Sequence, residues 1–551
     1  MLHNVLHSAS RRPGNAVRTS AVALIAIPAL LLTGCAGGTS TATNTSTLTY
    51  ATGDAEPTCL DPHVGGNYPQ ALISTQYLEP LTGRTADGKI TPWLAKSWTT
   101  SEDGLVWDFT LQSGITFTDG TPFDAEAVIA NIAHLQDPDT GSSTGYLAVQ
   151  KIVKAEAVDA THVRFTLSSP DSALLESLSQ QWTAMQSPAG MERGKDVNCA
   201  EPVGTGPFKV SSWEPQESIT LVRNDDYVST IPEATHDGAA KLEKIVWRFI
   251  PDAATRYAAL TSGEVQVIDN PLPADIVAAK AADFGHIDAP RPGASNRIEL
   301  NSAQAPFDDI RVREAFVLAA DPSPGIESLF QGTATRSYSA LSSVEPAGLS
   351  LPELFKTDAT KAAKLLDDAG WKPAGAAGIR AKDGKELTVR FPVSTNQSTA
   401  AEQSLFEQIQ ANAGAVGFNV VLEPVDLSTW YGKLAAHEYE AVSAPYTKVG
   451  PDVLRTIFHS SNTVPAPSGY FSNLAEITDP EVDALLERAA ATQDEAERAA
   501  IYADAQQRVL ESFAVLPLYD QQNHFLTNGV EGVTTLGTIS TPTFINTEFT
   551  Q

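Results

Sequence analysis

Residues 104–123 read GLVWDFTLQSGITFTDGTPF, bulky apolar side chains alternating with polar ones, with Gly and Asp-Gly breaking the run. A period of two interrupted by turn residues predicts antiparallel strands with one buried face. The next stretch, DAEAVIANIAHLQD, changes to the helical period, with Asp124 at the capping position. The same change of period recurs along the chain. STLTYATG (46–53) reads as a first strand. A polar, turn-rich loop follows to residue 70, carrying Asn67 and Tyr68, and then the apolar helical pattern ALISTQYLEPL (71–81). KIVKAEAVDATHVRFTLSS (151–169) reads as two strands about a turn, EKIVWRFIPD as a strand, and DAATRYAALTSG as a helix stopped by Gly263. FDDIRVREAFVLAAD and DATKAAKLLDDAG read as amphipathic helices, the second capped by Asp358 and stopped by Gly370. ELTVRFPVS and FNVVLEPV are strands on either side of the helical TAAEQSLFEQIQANAGAVG. Near the C-terminus a helical pair places Val482, Leu485, Leu486 and Ala489 on one buried face. The predicted fold class is α/β, with no short-period repeat and no coiled coil.

The 551 residues leave room for two to four domains, with composition in the range of soluble globular proteins. The net charge of -29 argues against general nucleic-acid binding, which needs a basic face, and against docking on anionic lipid. Arg11, Arg12 and Arg18 precede AVALIAIPALLLTGC, an apolar run too short, and too broken by Pro28, to read as a membrane span. The layout is that of a secretory signal over residues 1–34. Its end, Leu32-Thr33-Gly34-Cys35, resembles a bacterial lipobox, which implies a lipid on the Cys35 sulfur. The uncharged AGGTSTATNTST that follows reads as a flexible tether, placed at 35–46. With Cys35 so occupied outside the cytoplasm, Cys59 and Cys199 are left as a disulfide pair or as two free thiols. A zinc site would need more ligands near Cys59 than His63.

No reactive constellation stands out. There is no G-x-S-x-G elbow, and HEYEA at His437 fails the second His of H-E-x-x-H. GMERGKD around Gly194 lacks P-loop spacing, and GTGPFK at Gly204 holds a lone G-x-G that reads as a tight turn. The ten His residues show no metal-ligand spacing. The expectation is a protein that is not an enzyme and holds no cofactor or metal.

PWLAKSWTTSEDGLVWDFTLQSGITFTDGTPFDAEAVIANI (92–132) resembles the signature block of family 5 extracytoplasmic solute-binding proteins, the oligopeptide-, dipeptide- and nickel-binding components of ABC importers. The likeness continues in order through VGTGPFKVSSWEPQESITLVRNDDY, PDAATRYAALTSGEVQVID, APFDDIRVREAFVLAAD, KAAKLLDDAGW, DPEVDALLERA and VLPLYDQQNHFL. The resemblance implies a two-lobe periplasmic-binding-protein fold of type II, in the large cluster with an extra subdomain and the ligand between the lobes. Lobe I is drawn at 47–84, 203–290 and 525–551, its inserted subdomain at 85–202, and lobe II at 291–524. On that plan Trp93, Trp98, Trp107 and Phe109 belong to a core, and Cys59–Cys199 staples the base of the subdomain. The implied function is a lipid-anchored, monomeric receptor that captures a peptide-like or similar polar solute and hands it to a membrane permease. A metal chelate is the alternative solute. A solute sensor or an enzyme on the same fold is the alternative of another class.

For the cleft, peptide-binding relatives carry a Trp and, three residues later, an Asp that pairs with the peptide's amino terminus. In SAPYTKVGPDVLRTIF (443–458) those positions fall on Pro445 and Lys448. A Lys there favours a carboxylate or phosphate over an ammonium group, with Asp452 as a replacement negative charge. Tyr446 lies in the same segment. Trp430, in VDLSTWYGKL, stands where relatives place a cleft aromatic, and Asn67 and Tyr68 lie in the loop that lines the cleft. His437 and His459 fall in the region of the nickel-site His but match no motif.

Overall fold

A computed structural model describes residues 46–550, apart from 229, 375–377, 396, 444–445, 447 and 466–470. The expected signal segment, Cys35 and Pro445 lie outside the described residues. Two large hydrophobic cores divide the chain. The buried residues of one come only from Leu48–Ala289 and Phe525–Ile545, those of the other only from Ala294–Tyr519.

The first core packs under a seven-stranded sheet ordered Gly285–Pro290, Gln522–Thr527, Val267–Asp269, Thr47–Thr52, Lys244–Phe249, Ser218–Arg223 and Phe208–Glu214. Thr47–Thr52 is parallel to both its neighbours, and the remaining pairs are antiparallel. A separate antiparallel sheet orders Ala95–Thr100, Val106–Leu111, His162–Leu167 and Ile152–Asp159. Its second strand sends Trp107, Phe109 and Leu111 into the core and leaves Val106, Asp108 and Thr110 part-exposed, as the period of two requires. Trp93 is buried as well, and Trp98 packs half-buried against the same cluster. The helix Ala125–Gln136 begins as expected, with the Asp124 carboxylate accepting from Ala127 N at 3.0 Å.

Two local readings are corrected. ITFTDGTPF does not form a strand pair. It closes as a tight turn with one bridge, Thr116 to Pro122, held by Phe117 N to Thr121 O and Phe123 N to Ile115 O, and the chain then passes straight into the Asp124-capped helix. The helix expected from residue 71 starts earlier, at Tyr68, and ends at Ser74. Asn67 and Gln70 form a reciprocal capping box, so Tyr68 is the first helical residue rather than part of a loop. Beyond Ser74 the apolar side chains are buried without helix, while Gln76 O and Tyr77 O accept from Phe208 N and Gly206 N. Gly204 sits so close that a Cβ on it would lie 1.9 Å from Tyr77 O, which explains the G-x-G as a close-packed turn.

The second core fills the space around an antiparallel sheet of Ala441–Ser443, Asn296–Leu300 and Val515–Tyr519 and a parallel pair, Thr388–Ser394 with Asn419–Val425. The parallel pair is linked by the helix Ala400–Ala415. Among the helices on this side are Ile310–Ala320, Ala359–Asp368, Pro480–Ala491 and Glu495–Glu511. Val482, Leu486 and Ala489 are buried and Leu485 is half-buried, on the face read from the sequence.

The chain crosses between the cores at residues 290–296 and again at 519–522. The two crossings run side by side: Pro290 pairs with Gln522, Asn296 with Tyr519, and Arg291 N donates to Gln521 O at 2.8 Å. Cys59 and Cys199 are joined in a disulfide. His63 is fully buried beside it, with Nδ1 3.0 Å from His134 Nδ1 and Nε2 2.9 Å from Ala184 O. Burial pushes its pKa down to about 4, so the ring is neutral at ordinary pH. No helix among the described residues is long and apolar enough to cross a membrane.

Candidate functional site

Groups from both cores meet beside the crossings. From the first side, Asn67 caps its helix and its carbonyl accepts from Trp182 Nε1 at 3.0 Å. That cap fixes Tyr68, whose hydroxyl accepts from Asn523 Nδ2 at 2.8 Å. The Arg291 guanidinium, from the first crossing, lies 4.7 Å above the Tyr68 ring. Burial pushes the Tyr68 hydroxyl up, partly offset by the Arg291 charge. Ala71, Trp182 and Ile539 of the first side and Val449 of the second share one small apolar cluster with Tyr68 packed on it.

Asp54, just past the first strand, is an electrostatic neighbour of Arg291. Burial and the nearby Asp269 carboxylate push its carboxyl up to about 7, with Arg291 and Arg256 opposing. Asp269 is fully engaged, accepting from Tyr50 Oη, Thr52 Oγ1 and Gly53 N at 2.6–2.7 Å. By contrast, Asp54 Oδ2 and Arg291 Nη2 are buried without a hydrogen-bond partner among the described residues. Buried polar atoms are nearly always paired, so this donor and acceptor, two of the unpartnered buried atoms among the described residues, leave room for water or a polar guest.

On the second side, Lys448 does not stand free. Its Nζ lies 3.0 Å from Asp452 Oδ2 and 3.4 Å from Thr456 Oγ1. Asp452 also takes both arms of Arg455, at 2.9 and 2.7 Å, and Tyr502 Oη at 3.3 Å. Burial alone would raise the Asp452 carboxyl, but the Arg455 and Lys448 charges outweigh it and hold the group well below the usual carboxylate range. The unit carries two cations and one anion, so one positive charge remains. Tyr446, half-buried, neighbours Arg297 and Arg455, and burial pushes its hydroxyl up. Trp430 is buried in a compact cluster with Leu434, Tyr439, Val442, Phe471 and Leu474, and its ring lies 5.1 Å from that of Tyr431, an electrostatic neighbour of Tyr446. His437 pairs with Glu476 at 2.6 Å and stacks on Phe471, and His459 lies 3.3 Å from Glu487. Among the described residues no group of three or more His, Cys, Asp or Glu is placed to hold a metal ion.

A buried ion pair ties the two sides. Glu345 accepts from Arg84 Nη2 at 3.0 Å, Gly293 N at 2.6 Å and Gly450 N at 3.1 Å, so one carboxylate gathers three separate segments. Sequence reading passed over Asp54, Arg291, Arg84 and Glu345. Arg291 had a local signal, a lone cation inside the APRPG turn between a strand and the next strand. Arg84 and Glu345 had none, being 261 residues apart.

Residues 89–463 match the profile of the bacterial extracellular solute-binding proteins, family 5 Middle. The nickel-binding periplasmic protein of Escherichia coli (strain K12) is 30% identical over 462 residues, which cover 82% of this chain and 84% of that protein. The glutathione-binding protein GsiB of Salmonella paratyphi A is 29% identical over 474 residues, 84% of this chain and 86% of that one. Among solved structures, NikA from Brucella suis in complex with Fe(III)-EDTA aligns with a TM-score of 0.76 at 26% identity, over 90% of this chain and 98% of that one. A dipeptide-binding protein from Pseudoalteromonas sp. SM9913 in complex with Met-Leu gives 0.78 at 23% identity, over 92% and 100%, a likeness of fold alone. The fold is the two-lobe periplasmic-binding type of the type II cluster, as the sequence motifs predicted.

Proposed function

The chain belongs to the bacterial extracellular solute-binding proteins of family 5, and on that premise we propose that it is the capture component of an ABC importer, enclosing a peptide-like solute that bears a carboxylate. Lobe I comprises 47–84, 203–290 and 522–551, its return starting three residues before the expected 525 because the strand Gln522–Thr527 pairs in its sheet, with 85–202 inserted, and lobe II comprises 291–521. Lipid on Cys35 holds the monomer to the cell membrane through the 35–46 tether after removal of residues 1–34. Closure about the paired crossings presents the loaded form to a permease, and no chemistry is done on the solute.

One observation carries the choice of solute. Arg291 lies between the lobes with Nη2 open, beside Asp54 with Oδ2 open. A guanidinium edge suits a carboxylate, and a carboxylate next to it suits an ammonium group, the two ends of an amino acid or short peptide. The spare positive charge at Lys448, Asp452 and Arg455 adds to the pull on an anionic group. Tyr68, Tyr446 and Asn67 shape the walls.

A metal chelate is the second reading. It is favoured by the likeness to the nickel-binding protein of Escherichia coli and to NikA with Fe(III)-EDTA, and a chelate's carboxylates would meet the same cations.

A thermal-shift panel of di- to pentapeptides, glutathione and metal chelates tests both, since a ligand that binds only the native state raises its melting temperature. Native mass spectrometry of protein from its own host checks the ranking. Shifts with peptides carry the first reading, while silence from every peptide beside a clear shift with a chelate replaces it by the second. For the solute so found, Arg291→Ala is expected to weaken binding at least about tenfold, as loss of one charge-assisted contact implies. Calorimetry returning wild-type affinity would remove Arg291 from the site.

A further inference from the structure

The helix Pro480–Ala491, in lobe II, ends without a glycine, on Thr492. The last carbonyls of any helix lack intrahelical donors and must find partners elsewhere. Here Thr492 O and Gln493 O are served by Arg498 of the same lobe, at 3.0 and 3.1 Å. Ala489 O accepts from Thr492 N at 3.2 Å within the helix's own end, and the other side of the cleft serves Ala490 O and adds a second donor to Ala489 O. Ser172 N donates to Ala490 O at 2.9 Å, and Ser172 Oγ to Ala489 O at 3.1 Å. All three residues are buried.

We propose that the segment around Ser172 is a closure latch, a loop of the inserted subdomain that caps a lobe II helix only when the cleft is shut. Its neighbours fit that role. Asp171 is held by Lys151 at 3.8 Å, and Lys151 in turn faces the charges of Arg455, Asp452 and Lys448 across the seam. Glu176, at the end of the same segment, packs its side chain within about 3.5 Å of where a Gly450 Cβ would stand, so a larger residue at 450 would hold the seam apart. The turn at Gly104 approaches Gln493, the residue that follows the capped end of the helix. The Ser172 hydrogen bonds involve only Ala489 and Ala490, and none of Asp54, Arg291, Tyr68, Lys448, Asp452 or Arg455, so substitution at Ser172 alters how readily the lobes close and leaves the solute's own contacts alone. It rests on the two-lobe capture reading but not on which solute is captured.

The test therefore uses protein without solute. Bioorthogonal fluorophores at Val153 of the subdomain and Val464 of lobe II, both well exposed, report open and closed populations by single-molecule energy transfer. Ser172→Ala removes one hydrogen bond and is expected to lower the closed-to-open ratio about fivefold. Ser172→Asp sets an anion against the negative end of the helix and is expected to lower it further. Ser172→Thr keeps both donors and should stay near wild type. Indistinguishable distance distributions for the wild type, Ser172→Ala and Ser172→Asp would overturn the latch. So would a fall in melting temperature with Ser172→Ala that leaves the distribution in place, because Ser172 would then be an ordinary structural cap. A failed solute panel beside a shifted distribution would sink the peptide and chelate readings of the solute and leave the latch standing.

Discussion

Asp452→Asn lowers the unfolding free energy of the protein by about 3–5 kcal/mol in urea denaturation, the cost of leaving buried charge uncompensated. The carboxylate is 1% exposed and holds two cations, Lys448 at 3.0 Å and Arg455 through both arms. Asparagine is nearly isosteric but neutral, so Lys448 and Arg455 are left facing each other with no anion between them. The sign with pH follows from the same contacts. The folded-state pKa of Asp452 is depressed, so its stabilisation is complete above the usual aspartate range. It is lost only as the pH falls through that range toward the lower folded value. Wild type and Asp452→Asn should therefore converge in stability under strong acid and differ most near neutrality. Lys448→Met leaves the bidentate Arg455 pair intact and should cost less, and combined with Asp452→Asn it should recover part of the loss. A change below about 1 kcal/mol for Asp452→Asn, the size seen for exposed pairs, would mean the seam is wet and the buried ion triad is not formed in solution.

The fold was legible where the physics is local. Asp124 and Asp358 each precede a periodic apolar run by one turn, and each accepts the expected helix N–H. The alternation in VWDFTL sorts core from surface without tertiary information. The Tyr68 helix start was present as Asn67, Pro69 and Gln70, a capping box with Pro inside the first turn, but the apolar run from Ala71 drew the boundary forward. ITFTDGTPF misled for the opposite reason, since periodicity says which face is buried and not whether a partner strand is within reach.

The candidate site was less legible. Lys448, Asp452 and Arg455 lie four and three residues apart, a spacing that invites pairing, yet a resemblance read position by position treats each as a solitary ligand contact. Their pairing is visible only once Asp452, at the N-cap position of Val453–Phe458 but with its side chain turned to the cations instead of the helix, draws both of them in. Arg84 with Glu345, and Ser172 with Ala490, depend on how two lobes meet. No window of sequence contains both partners.

Replacing Cys59 and Cys199 together by Ser is expected to lower stability by about 4–5 kcal/mol, the chain-entropy value for a closed loop of this length. The residues are 140 apart, so the bond encloses the whole four-stranded sheet of the inserted subdomain. Its effect falls on the unfolded ensemble because the native contacts beside it do not need it. Leu60 N donates to Cys199 O at 2.7 Å, Asn198 Nδ2 to Asp61 Oδ2 at 2.9 Å, Gln186 Nε2 to Asp61 Oδ1 at 2.6 Å, and Gln70 Nε2 to Cys59 O at 3.0 Å. That network pins both ends of the loop with the sulfurs cut, and through Gln70 it keeps Asn67 and Tyr68 in place. The double variant should therefore unfold at lower urea but, while folded, shift with the same solutes as wild type in the thermal panel. Because freeing the loop lets the unfolded chain expand, the denaturant slope should rise along with the fall in midpoint. A variant that keeps wild-type stability would mean that the network alone closes the loop in the unfolded chain, while one that loses solute response before it unfolds would mean that the disulfide, not Gln70, positions Tyr68.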